Sequence, residues 1–220
     1  MSSNLKRART EAQKDFRRQQ ILDAAEAHFR DVGYEAFSMG NLAKLAGVVK
    51  GTLYLYFKTR EEVFLTLYNQ SLVRWSQVFL NRLDHRPMDD NDYVKILYVT
   101  AMADGSFVPL LARLEHVIEH NVAIERLVES KRIFIDRVAK IAETSAAILG
   151  LNQPQALEVV RTMGVLLVGA TRADQGPSLQ GEAIPADVQA LIDAFSSENI
   201  FIKNACRIIA GVRADASPAE

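Results

Sequence analysis

Apolar residues recur at three- and four-residue spacing along almost the whole chain. Ile21, Leu22, Ala25, Phe29 and Val32 set the rhythm first, which predicts a helix with one buried face from residue 15 onward. Gly33 ends it in the left-handed cap position that glycine favours. Ser38 then offers an N-cap, and Met39, Leu42, Ala43 and Ala46 form an apolar stripe of about two turns that Gly47 breaks. A second short helix is predicted from Val49 to Tyr56. Thr59 and Glu62 have capping-box spacing and open a long helix carrying Phe64, Leu67, Tyr68, Leu72, Trp75, Phe79 and Leu83.

The rhythm continues to the end. Helices are predicted over 93–104, 107–119, 123–149 and from Asn152, Pro154 and Gln155 to about Asp174. The segment QGPSLQGEAIP reads as a loop, and Pro185 suits the first turn of a further helix. The last helices cover about 186–195 and 197–210. No alternation of strand type and no internal repeat interrupts this. The fold class is all-α. Residues 1–14 are polar without apolar periodicity and read as a flexible basic arm. Residues 15–60 form a small helical head, and 61–220 a helical body.

Charge divides the chain in the same place. Residues 1–60 hold eleven Lys/Arg and six Asp/Glu, while the remainder holds fifteen and twenty-one. A basic module suited to a polyanion is thus joined to an acidic remainder. The longest apolar run, MGVLLVGA, is far short of the ~20 residues a bilayer span needs. The basic N-terminus has no apolar stretch behind it, which argues against a secretory signal. One cysteine, Cys206, makes no intramolecular disulfide. A cytoplasmic protein with no membrane partner is expected.

The stretch KGTLYLYFK, residues 50–58, mixes lysines with aromatics too densely for a core or for a plain solvated surface. Two short helices joined by a tight glycine turn match a helix-turn-helix, whose second helix lies in the DNA major groove. Leu53 and Phe57, four apart, then face the core. Lys50, Thr52, Tyr54 and Tyr56 are left for other faces, as phosphate, sugar and base contacts. Gly51 lets the helix approach the duplex closely.

Residues 17–67 closely resemble the DNA-binding domain of the TetR family of bacterial transcriptional regulators. ILDAAEAHFRDVGYEAFS, LAKLAGV and KGTLYLYFKTREEVF carry the resemblance, in order and without a gap. It implies a three-helix DNA-binding head joined by a long fourth helix to a helical effector-binding and dimerisation domain. By position, Lys50, Thr52, Tyr54, Tyr56 and Lys58 stand where the family contacts DNA, and Ser38 stands at its usual Ser/Thr that caps the supporting helix and touches phosphate. Two residues depart from the pattern: Val49, where a small polar residue is common, and Leu55, where a polar or ring side chain often reaches the groove. The resemblance further implies a homodimer through helices near 153–174 and 186–210. It implies a repressor released from operator DNA by a small apolar or amphipathic effector. Trp75, Phe79, Tyr98, Met102, Phe107, His116, Phe134 and Met163 are the candidate pocket residues, and no cofactor or resident metal is expected.

One motif competes. HVIEH, residues 116–120, has the H-x-x-E-H pattern of a zinc hydrolase, with His116 and His120 on one helical face and Glu119 as base. Five residues weigh little beside fifty. The other rival is a helical interaction module that has lost DNA binding. The retained Lys50, Thr52, Tyr54 and Tyr56 argue against it.

Overall fold

The computed structural model describes residues 2–83, 88–175 and 184–215. Among them every regular element is helical: α1 Ser2–Ala36, α2 Met39–Leu45, α3 Lys50–Tyr56, α4 Arg60–Arg82, α5 Asp90–Ala103, α6 Phe107–Arg113, α7 Ile124–Leu149, α8 Gln153–Thr171, α9 Ala186–Ala194 and α10 Ser197–Ala214. The all-α expectation holds. Among the described residues no single helix is long and apolar enough to cross a membrane.

Local chemistry sets the ends. Ser38 Oγ accepts from the Asn41 amide at 3.2 Å and starts α2. Gly47, at φ 64°, turns the chain toward α3. Thr59 Oγ1 accepts from the Glu62 amide at 3.1 Å, while Glu62 reaches back to the Lys58 amide at 2.7 Å rather than to Thr59 itself. Asn152 and Gln155 form a full capping box at the start of α8. Pro185 stands one residue before α9, as its N-cap. Most of the expected QGPSLQGEAIP loop, residues 176–183, lies outside the described residues.

Two expectations are corrected. Residues 2–14 are not an arm beyond the first helix but its opening turns. Residues 11–14 are exposed, and Lys14 and Glu11 pair along the helix at 3.2 Å. Gly33 does break α1, but with φ 71° and ψ −173° it lies outside the left-handed helical region, so the chain leaves in an extended direction.

The chain packs as two compact units that do not follow the expected sequential division. One comprises residues 1–71 with 109–131, the other 72–108 with 132–220. In the first, Ile21, Leu22, Ala25 and Phe29 of α1 close over Leu42 and Ala43 of α2, Leu53 of α3 and Phe64 of α4, all buried. Phe64 is the hub, with ring centroids 5.5 Å from Phe29 and 4.7 Å from both Tyr34 and Phe37. In the second unit α10 packs on α8 and α5. Buried hydroxyls tie it together: Tyr93 to Ser145 and Tyr98 to Ser197, each at 2.6 Å. Asp174 accepts from the Ser197 amide at 2.9 Å and from its hydroxyl, which fixes the start of α10.

The Gly33 conformation is essentially closed to residues with a Cβ, although the space around it is open. Gly33→Ala is therefore expected to lower stability by about 1–3 kcal/mol. A lower urea midpoint at an unchanged slope would register this.

Candidate nucleic-acid interface

Seven residues are too few for a stable isolated helix, so α3 is held by what it buries. Leu53 is wholly buried and Phe57 nearly so. The Phe57 amide bonds the Leu53 carbonyl at 3.0 Å, and the Leu53 amide bonds that of Val49 at 3.2 Å. From α1, the Arg18 guanidinium lies 5.1 Å from the centre of the Phe57 ring, and its Nη2 is 3.4 Å from Thr66 Oγ1. With Leu53 inward, the 100° step per residue fixes the rest. Lys50 and Tyr54 fall on one flank, Thr52 and Tyr56 on the other, Gly51 and Leu55 outermost.

Exposure agrees. Lys50, Gly51, Tyr54 and Leu55 are exposed, and Thr52 and Tyr56 half-buried. Lys58 is exposed just beyond the helix, and Ser38 is half-buried in its capping role. The seven sequence-predicted residues thus lie on three consecutive short stretches of one unit. Their chemistry is two ammonium groups, four hydroxyls and one bare backbone position.

The structure adds residues that the sequence did not point to. Segment 109–131 packs with this head. Thr59 Oγ1 donates to the Asn121 carbonyl at 3.2 Å, and Ser130 Oγ donates to Asn69 Oδ1 at 2.7 Å. Tyr34 has two cations near its ring: Arg60 at 4.6 Å and Arg113 at 5.3 Å from the centroid. Its hydroxyl accepts from Arg60 at 3.3 Å and donates to Glu61 at 3.4 Å. Burial raises the Tyr34 phenol above its ordinary pKa, with Arg60 opposing, so it stays neutral at physiological pH. The only signal in the sequence was the aromatic itself, since cation–ring contacts have no fixed spacing.

The HVIEH geometry does not favour a zinc pair. Leu114–Ile118 wind as a π-helical turn and Glu119–Asn121 as a 3₁₀ turn, so the α-helical register behind the motif is absent. His116 and His120 are exposed, and Glu119 is paired with Lys131 at 2.7 Å.

The eight pocket candidates separate. Trp75 stacks on Phe79 (5.7 Å) and Phe107 (4.6 Å), and its indole donates to Thr100 at 3.3 Å. Tyr98 lies against Phe201 at 5.5 Å, Met163 is buried and Phe134 half-buried. Met102 and His116 are exposed, a correction to their expected interior place, because each falls on the outer side of its turn. A surface groove of about 650 Å³ opens elsewhere, lined by Lys95, Lys203, Arg207, Asn199 and Asn204 among others, and by none of the eight.

Comparisons with known proteins match two consecutive segments of the chain, the second of which includes residues 109–131. Residues 21–67 match the family model of bacterial regulatory proteins, tetR family, and residues 69–216 match that of the tetracyclin repressor-like C-terminal domain. The chain is 29% identical over 124 residues to the fatty acid metabolism regulator protein of Bacillus subtilis (strain 168), covering 56% of this chain and 58% of that relative. The chain therefore spans less than two thirds of that relative's length. Among solved structures, the fatty acid degradation regulator FadR from Bacillus halodurans superposes with a TM-score of 0.54 at 18% identity, covering 88% of this chain and 97% of that one. A TetR transcriptional regulator from Rhodococcus sp. RHA1 reaches 0.58 at 15%, covering 93% and 100%. At these identities the structures establish the fold.

Thr59 both caps α4 and holds Asn121. Thr59→Ala is expected to cost about 1–2 kcal/mol, and Thr59→Ser much less. Urea unfolding of the two variants measures the difference.

Proposed function

The chain belongs to the TetR family of bacterial regulatory proteins, and from that premise we propose that it is a homodimeric repressor, released from operator DNA by a small amphipathic molecule. The observation that carries this is the outward face of α3. Its flanks, Lys50 with Tyr54 and Thr52 with Tyr56, suit the two phosphate walls of a major groove. Lys58 and the Ser38 hydroxyl add contacts at the edges. Sequence beyond phosphate is read from the centre of that face. The protein works in the cytoplasm, where operator and effector meet.

A dimer is supported by apolar surface exposed among the described residues. On α8, Val165 is 76% exposed, and a Cβ built at Gly164 or Gly169 meets nothing within 4 Å. Val188, Leu191 and Ile192 of α9 and Phe195 at its C-cap recur at helical spacing, all exposed. A second copy seated on α8, α9 and α10 covers these and sets two recognition helices about 34 Å apart, one turn of duplex. The stacked Trp75, Phe79 and Phe107 support an apolar or amphipathic effector that parts them on entry. The name of the fatty acid metabolism regulator supports a fatty-acid-derived one. Such a ligand acts by preferring the conformation in which the two heads are wrongly spaced. The contacts of Arg113 with Tyr34 and of Asn121 with Thr59 tie segment 109–131 to the head within one compact unit.

Two outcomes test this. Lys50→Ala is expected to weaken operator binding evenly across sequences. It should also lower the slope of log affinity against log salt by about one for each phosphate that is no longer neutralised. A titration at several salt concentrations reads it, and an unchanged slope would place Lys50 off the DNA. Val165→Asp is expected to convert the dimer to a folded monomer, seen by sedimentation, and to abolish tight operator binding. A variant that stays dimeric would exclude α8 from the interface.

A further inference from the structure

Gly51 and Leu55, four residues apart, lie one above the other on the outermost line of α3. Gly51 presents bare backbone. Leu55, 76% exposed, is therefore the one side chain aimed straight away from the head at the centre of that face. The hydroxyls and the ammonium on either flank sit about a quarter-turn or more to the side. When the face enters a major groove, the flanks meet phosphate and sugar, and Leu55 meets the floor.

A single exposed leucine on a protein surface needs no explanation. Here its place decides what it touches. The floor of a major groove offers hydrogen-bond donors and acceptors, which a leucine leaves unpaired, and one apolar group, the 5-methyl of thymine. Beside a donor or acceptor, Leu55 would strip water from a polar edge and return nothing. Beside a thymine methyl, both partners leave water together. Thr52 and the tyrosines have polar alternatives on the backbone. Leu55 has none.

We propose that Leu55 is a specificity-determining residue that reads the 5-methyl group of a thymine in each operator half-site. This rests on the reading above, that α3 enters the major groove of operator DNA.

The test uses the full-length protein and a duplex it selects from a random library. Each thymine of the selected duplex is replaced in turn, in both half-sites, by deoxyuridine, which removes the methyl and leaves base pairing intact. Affinities are measured for the wild type and for Leu55→Ala. One thymine position is expected to stand out. Losing its methyl in one half-site weakens wild-type binding about fourfold, and in both about fifteenfold. Leu55→Ala binds the thymine and deoxyuridine duplexes alike. Because Leu55 buries little in the head, Leu55→Ala keeps the wild-type melting temperature, so a loss of affinity is not a loss of fold. The proposal is overturned if no single replacement weakens the wild type, or if the weakening persists undiminished in Leu55→Ala. Failure to select any duplex overturns the DNA-reading premise itself, which is a different result from a selected duplex indifferent to its methyl groups.

Discussion

Two buried side chains, Leu53 and Phe57, decide what the head of this protein can present. α3 is too short to hold itself, so its rotation about its own axis is set by their seating in the core. Rotate α3 by one residue and Leu53 would surface while Tyr54 entered the core. The hydrophobic free energy of a fully buried leucine, about 1.5–3 kcal/mol, opposes that slip, and the Arg18 guanidinium over Phe57 adds to it. The chemistry of the outward face is therefore a by-product of inward packing. With these two inside, the other residues of α3 stand outside in fixed angular order.

Much of this was legible from the sequence. Period-3.6 stripes placed the helices, and short polar motifs placed their ends. Ser38, Thr59, and Asn152 with Gln155 cap where their spacing says, because capping is a local interaction between neighbours in the chain, while Glu62 reaches one residue further back, to Lys58. The misses are equally physical. Residues 2–14 form a helix although their sequence gives no apolar stripe, and a periodicity argument registers only helices that carry one. Leu114 and Ile118, four apart and both buried, look the same to a periodicity argument whether the turn between them is α or π. The register behind HVIEH was for that reason invisible. Apolar character identified Trp75, Phe79 and Phe107 as interior, but a side chain's hydrophobicity says nothing about whether a void lies beside it.

The grouping of residues 109–131 with the head was also beyond the sequence. It depends on partners far apart in the chain: Arg113 with Tyr34, Asn121 with Thr59, Ser130 with Asn69. None of these is a strong interaction alone. Cation–ring contacts are worth about 0.5–2 kcal/mol and single hydrogen bonds about 0.5–1.5 kcal/mol. Contacts of that size are exchanged more easily than the aromatic hub at Phe64.

Hydrogen exchange with and without a selected operator duplex tests most directly that the outward face of α3 is the reading surface. On binding, slowed exchange should concentrate in residues 38–58, strongest across Lys50–Tyr56, with α8 and α10 little changed. Slowed exchange elsewhere, with 38–58 unaffected at saturating duplex, would contradict it and place the DNA on another surface of the protein.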